Sequence, residues 1–391
     1  MIDLNKLQEI FDAKKEKYLL SLKNSQLIFS EMKRIIENLN KNDIYNVNNK
    51  LPSVDEKGEI LACFPLTYDK FFGTSTYNKI SDYVVCAVDG SNTEIDRHKN
   101  ILYYFLNISM VTLTYNSTNS SFNYKVEPFL YIEDELINQQ NGFLTLKSSS
   151  HISEERQMLE FRAINQFVES YDNDAPCVIF YDGGIVDWSQ NRQDKRFGRM
   201  TFDYVEYIFK KAQSKNIALC GYISSPKNVQ ISNFYRAYKC HFEKIRCEKC
   251  EEKEVYKCDE YSRIKDVNFF SYLNVKEFSN FYRTTNRSNS ETLLWDVVFC
   301  YLNTGSEIAR LEIPFYVYRD NKLLSDTLSI VISQVEMGKG YPIALTHAHN
   351  FCVLTPQDRQ MLDRMVLSIG ENKNNINQIS SKKVNKIRRI L

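Results

Sequence analysis

The chain has 391 residues, 43% of them hydrophobic, enough for one large or two ordinary globular domains with ample core. Fifty Lys and Arg against 49 Asp and Glu leave a formal charge of +1, which excludes a general polycation, so any nucleic-acid contact must come from a local basic surface. No apolar run approaches the roughly 18 residues that cross a bilayer, and Met1-Ile2-Asp3-Leu4-Asn5-Lys6 lacks a signal peptide's apolar stretch; the expected location is cytoplasmic, away from membranes.

Leu4, Leu7, Ile10 and Phe11, then Leu19, Leu20, Leu27, Ile28 and Met32, recur at helical spacing and predict a helix over 4–40. The Asn- and Lys-rich stretch around 38–50 reads as a linker, closing an N-terminal helical segment of residues 1–50. Strand texture follows at 60–65, 83–88, 101–114 and 124–132, with a polar turn at Ser117–Ser121, so a meander succeeds the first buried strand. A helix is expected over 153–170, with Ser153 as N-cap and Glu154 and Glu155 in its first turn. Strand 177–181, helix 201–214 and strand 217–223 come next. The order β-β-β-α-β-α-β is that of an RNase H-like core. The expected fold class is therefore α/β, an RNase H-like mixed sheet flanked by helices. Beyond it lie a cysteine-rich insert (about 236–290), a strand at 308–318, a helix at 325–337 and the segment 341–354. The main domain is expected to span 51–370. A tail of residues 371–391 carries Lys382, Lys383, Lys386, Arg388 and Arg389.

Two strands end alike. Tyr83–Val88 runs into Asp89-Gly90-Ser91, and Cys177–Tyr181 runs into Asp182-Gly183-Gly184. Continuous β-branched and aromatic residues suggest strands buried on both faces, and ligands of such sheets collect at the strands' carboxyl ends. Two carboxylates delivered there can share a divalent cation; the plainer reading is that each Asp-Gly simply opens a turn. Glu160 falls with Ile164 and Phe167 on the face of the 153–170 helix that buries. A buried carboxylate needs a cation, either a metal shared with Asp89 and Asp182 or a salt bridge to Arg156 or Arg162. Pro342 suits the first turn of a helix, on which Tyr341 and His349 would lie a little over two turns apart and on the same side. A histidine there can ligate a metal or move a proton near neutral pH; His347 faces away.

Ten cysteines in a chain without an export signal point to reduced thiols or metal ligands. Cys240, Cys247, Cys250 and Cys258 form C-x6-C-x2-C-x7-C. The count suits a structural Zn2+ site, one CxxC flanked by single cysteines also suits a [4Fe–4S] cluster, and the third reading is no metal at all. Cys63, Cys86, Cys177, Cys220, Cys300 and Cys352 sit in apolar, strand-like contexts and read as small core residues.

Taken together, Ala87-Val88-Asp89-Gly90-Ser91, Leu159-Glu160-Phe161-Arg162-Ala163, Phe180-Tyr181-Asp182-Gly183-Gly184, Gly221-Tyr222-Ile223 with Ser225-Pro226, and Tyr341-Pro342 with Ala348-His349 resemble the NurA nucleases, in the same order, from about 80 to 355. The resemblance implies an RNase H-like nuclease domain that acts as a homodimer and hydrolyses DNA with one or two Mn2+ or Mg2+ ions. It also implies work beside a HerA-type hexameric ATPase in DNA end processing, with 5′–3′ exonuclease and single-strand endonuclease activity, in repair or defence against phage. Asp89, Glu160, Asp182 and His349 are then the metal-binding residues, and Tyr341 completes the catalytic set. Two departures bear on DNA contacts: Gly184 stands where the family usually has serine, and Ser224 where it often has lysine, leaving Lys227 as the DNA-binding candidate. The alternatives are an RNase H-like ribonuclease or strand-transfer enzyme, and a non-cutting subunit that docks on a DNA translocase.

Overall fold

The computed structural model describes residues 3–51, 61–67, 69–117, 119–140, 143–185, 195–245, 258–284 and 297–371. In chain order the elements begin with α1 (Leu4–Glu37), α2 (Lys41–Lys50), β1 (Cys63–Pro65), β2 (Thr74–Ser75), β3 (Tyr83–Asn92), β4 (Tyr103–Tyr115) and β5 (Ser121–Ile132). A hairpin of β6 (Ile137–Gln140) and β7 (Phe143–Leu146) precedes α3 (Ser149–Ser170), β8 (Cys177–Asp182), α4 (Lys195–Ser214), β9 (Ile217–Ile223) and α5 (Gln230–Lys239). Then come β10 (Phe278–Ser279), β11 (Tyr282–Thr284), β12 (Val297–Asn303), β13 (Ile308–Pro314), α6 (Phe315–Arg319), α7 (Asn321–Met337), α8 (Ile343–Cys352) and α9 (Pro356–Glu371). The chain is mixed α/β, and it divides into two compact bodies: Met1–Asn78 with Gly221–Ser325, and Lys79–Cys220 with Asp326–Leu391.

In the first body the strand order is β1-β11-β12-β13 and then the Gly221–Ile223 end of β9. Residues 41–50, expected as linker, are helical instead. Asn40 caps this α2 through Asn42 and Asp43, Asp43 returns the bond to the Asn40 N–H, and Ile44 and Val47 bury one turn apart. Asparagine-rich composition hid a capping box. Met32, Ile36, Ile44 and Val47 share a core with Phe64, Phe71, Phe234, Phe270 and Tyr301, which anchors the C-terminal part of α1, whereas Leu4, Leu7, Ile10 and Phe11 stay exposed. The predicted strand 308–318 stops at Pro314 and continues as the short helix α6, because proline presets the first-turn backbone and donates no strand hydrogen bond.

The second body holds the expected core. Its strands are ordered from the Ile217–Cys220 end of β9 through β8, β3 and β4 to β5. β3 pairs in parallel with β8, from Val84↔Cys177 to Val88↔Tyr181, while β3–β4 and β4–β5 are antiparallel. That is the spatial order 5-4-1-2-3 with the meander strands outermost, the arrangement that β-β-β-α-β-α-β implies. α3 starts at Ser149 with Ser148 rather than Ser153 as its N-cap, and α8 packs on β3, β4 and β8. Among the described residues no helix is long and apolar enough to cross a membrane.

Candidate metal centre

Val88↔Tyr181 is the last pair of the parallel ladder, so Asp89, within β3, and Asp182, at the end of β8, stand at the same level. Adjacent strands lie about 4.8 Å apart and same-level side chains share a face, so both carboxylates lie on one face of the sheet. Glu160 approaches from the opposite face of the sheet, on α3. It is 3% exposed, and it reaches the strand end only because residue 90 is glycine: a Cβ there would stand 2.6 Å from Glu160 Oε1 and 2.8 Å from Ile108 Cδ1. The same Asp-Gly pair that suggests a turn thus makes room for the third carboxylate, inside a strand that runs on to Asn92.

The three carboxylates feel one another. Burial pushes Glu160 up to about 7; Arg156 pulls it down, Asp89 and Asp182 push it up, and a hydrogen bond with Tyr181 pulls it down. Asp182 is raised by burial first and by Asp89 next, against a hydrogen bond from Tyr341 and the charges of His349 and Arg156. The salt bridge weighed as Glu160's alternative partner also exists. Arg156 Nε lies 3.3 Å from Glu160 Oε1, without hydrogen-bond alignment, while its Nη1 donates to the Gly90 carbonyl at 3.2 Å. Among the described residues Arg156 is the guanidinium that acts on both Glu160 and Asp182.

His349 Nδ1 is 2.9 Å from Asp89 Oδ2. A carboxylate only accepts, so Nδ1 carries a hydrogen and donates it; the His349 side chain is 61% exposed. Three polar side chains dock α8 near its C-terminus: Ser109 Oγ donates to the Ala348 carbonyl at 2.5 Å, Asn107 Nδ2 to that of Cys352 at 3.0 Å, and Ser91 Oγ also to Cys352, whose carbonyl the helix end leaves without an intrahelical partner. Polar residues alternating at 107 and 109 within an apolar strand were a legible sign of that docking.

Tyr341 reaches Asp182 by a different route from the one expected. The helix begins at Ile343, so Tyr341 precedes it and helical spacing does not relate it to His349. Its place is set by the turn after α7, where Gly340 has φ +116° and a Cβ on Gly338 would meet the Tyr341 carbonyl at 1.8 Å. Cys352, read as a strand-like core thiol, ends α8 instead; its Sγ donates to Asp89 Oδ2 at 3.4 Å. The other five core cysteines are buried in strands. His347 meets the exposed Phe122 ring at 5.3 Å. Lys227 is an exposed residue of the first body. Of the expected cysteine site, Cys240 and Cys258 are half-buried free thiols, whereas Cys247 and Cys250 lie outside the described residues, as does the basic tail.

A family model described as "NurA domain" matches residues 83–354. Comparison with curated proteins found no match. Among solved structures, a crystal structure of NurA bound to dAMP and manganese is similar over 90% of this chain and 96% of its own, at 11% identity and a TM-score of 0.36. Two structures of Argonaute from Aquifex aeolicus are similar over 74% and 71% of this chain and 30% and 29% of theirs, at 9% and 10% identity and TM-scores of 0.23 and 0.24.

Proposed function

The chain belongs to the NurA family, and from that premise we propose that it is a metal-dependent nuclease hydrolysing DNA phosphodiester bonds at Asp89, Glu160 and Asp182. The observation that carries this reading is the coupling of three carboxylates: Asp89 and Asp182 follow the last pair of the parallel ladder, and the buried Glu160 is raised to about 7 by burial and by both of them, with Arg156 the guanidinium beside it among the described residues. Such a donor set fits Mg2+ or Mn2+, which prefer oxygen ligands. When bound, one or two such ions would supply charge neutralisation on the scissile phosphate and an activated water.

The chain's own residues supply the rest. Asp89 holds the exposed His349 ring by its Nδ1, and the other ring nitrogen can hold a proton for the leaving oxygen or add a ligand. Tyr341 steadies Asp182 through a hydrogen bond and has a hydroxyl to offer a phosphate. Arg156, tied to the Gly90 carbonyl, holds Glu160 in register beneath the strand end.

Family membership also supports a homodimer, a HerA-type hexameric ATPase as partner, and DNA end processing as the setting. The decisive assay is a labelled linear duplex with Mn2+ or Mg2+. Wild type should degrade it and Asp182→Asn should not; cleavage retained by the variant would overturn the assignment. RNA and hybrid strands in the same assay distinguish a deoxyribonuclease from an RNase H-like ribonuclease. Copurification with a HerA-type ATPase tests the partner.

A further inference from the structure

Cys352 has no part in the chemistry just described, yet its Sγ and His349 Nδ1 both point at one atom, Asp89 Oδ2, from 3.4 and 2.9 Å. Among the described residues, Asp89, His349 and Cys352 are the one group of three side chains whose ligand atoms all lie within 4.8 Å of one another. Zinc bonds of about 2.3 Å to sulfur and 2.0–2.2 Å to nitrogen and oxygen, at tetrahedral angles, place ligand atoms roughly 3.3–3.6 Å apart. The sulfur–oxygen separation already matches, and the nitrogen–oxygen one needs to open by a few tenths of an ångström. The donor types matter as much as the distances. Thiolate and imidazole select Zn2+ and similar borderline cations, whereas Mg2+ and Mn2+ favour oxygen.

We propose that Asp89, His349 and Cys352 form a second, overlapping metal site that takes Zn2+ in preference to Mg2+ or Mn2+. The proton balance is simple. The imidazole hydrogen passes from Nδ1 to Nε2, the Cys352 thiol loses its proton to solvent, and Asp89 exchanges two hydrogen bonds for one metal bond. The backbone around the sulfur is already held, because the Cys352 carbonyl accepts from Asn107 and Ser91. Zn2+ seated there engages Asp89 and His349 on the thiol side and withdraws both from the carboxylate centre. Zinc is then an inhibitor of the proposed nuclease, a consequence that rests on the reading of the previous section, whereas the site itself does not.

The test uses full-length protein stripped with a chelator and titrated with Zn2+, by calorimetry and by metal analysis after gel filtration. The cysteine insert is a second candidate for zinc on its sequence, so the quantity read is the difference between wild type and Cys352→Ser. The variant should lose one equivalent, or bind it roughly 10- to 100-fold more weakly or worse. Co2+ should give wild type a thiolate charge-transfer band that diminishes in Cys352→Ser, with Asp89→Asn as a second variant weakening the same equivalent. Equal stoichiometry and affinity in wild type and Cys352→Ser would overturn the site. In the cleavage assay, the ratio of rates with and without trace Zn2+ under Mn2+ should fall in wild type and stay near one in Cys352→Ser. If no metal supports cleavage by wild type, the nuclease reading falls while the zinc count still decides the site.

Discussion

Among the described residues each body holds a charge cluster, the first buried throughout and the second open, with only Glu160 buried while Asp182 and His349 are exposed. In the first body Arg310, Glu312 and Asp266 are 1%, 2% and 1% exposed, and each is satisfied. Arg310 Nε donates to Glu312 at 2.8 Å and its Nη1 to Gln230 at 2.7 Å, while the guanidinium lies over the Phe299 ring. Asp266 accepts from the N–H groups of Gln230 and Ile231 at 3.1 and 2.8 Å and from the Tyr301 hydroxyl at 2.9 Å, so it caps α5 from a distant segment. Burial would lower the Arg310 pKa, but Glu312 and Tyr301 outweigh it. The second body's cluster has three carboxylates, one arginine without aligned hydrogen bonds to its partner, and an exposed histidine. A closed, matched network serves the fold. An open one of carboxylates that raise one another's pKa is the kind of cluster that functional sites collect.

Breaking the matched network should cost stability. Glu312→Gln leaves Arg310 buried without its partner, and denaturant unfolding should show a loss of about 3–5 kcal/mol, with cleavage by the folded fraction unchanged. Breaking the open cluster should cost activity instead. Asp89→Asn and Asp182→Asn are expected to lower the cleavage rate at least 10²–10³-fold, the scale seen when one transition-state contact is removed, with an unaltered melting temperature. Should Asp182→Asn melt far below wild type, the two clusters would not differ in kind.

Gly90→Ala lies between these cases. Its methyl group has to displace Glu160, Ile108 or Arg156, which should cost about 1–3 kcal/mol and reduce cleavage together; melting and rate assays on one preparation test the pairing. The last effect is in pH. Folding favours the protonated Glu160, whose pKa rises from 4.5 to about 7, so its contribution is complete below about pH 4.5 and is lost as pH climbs through about 7. Metal-free wild type should therefore weaken across that window relative to Glu160→Gln, by at most about 1.4 kcal/mol per unit. Superimposable pH–stability curves would show that Glu160 is not buried as described, and added divalent cation should flatten the wild-type curve.

Local pattern carried much of this. The apolar runs before Asp89 and Asp182, and Glu160's phase on α3, depend on residues a few positions apart, and periodicity reads them directly. α2 was lost because Asn40 and Asp43 look like loop composition until their mutual capping is seen. Tyr341 was assigned to a helix because Pro342 marks a helix start without saying on which side of it a neighbour falls.

What the amino-acid order determined by itself is the kind of core, the strand ends and the acidic residues placed on them, since strand and helix periods are set within one element. The three-dimensional pairing alone decided that Gly90 clears a path for Glu160, that Arg156 is its only guanidinium partner among the described contacts, and that Cys352 aims at Asp89 across 263 positions. Those facts arise from a parallel register and from a helix laid on the sheet by Asn107 and Ser109. Both are contacts between residues far apart in the chain, whose geometry exists only once the sheet has closed.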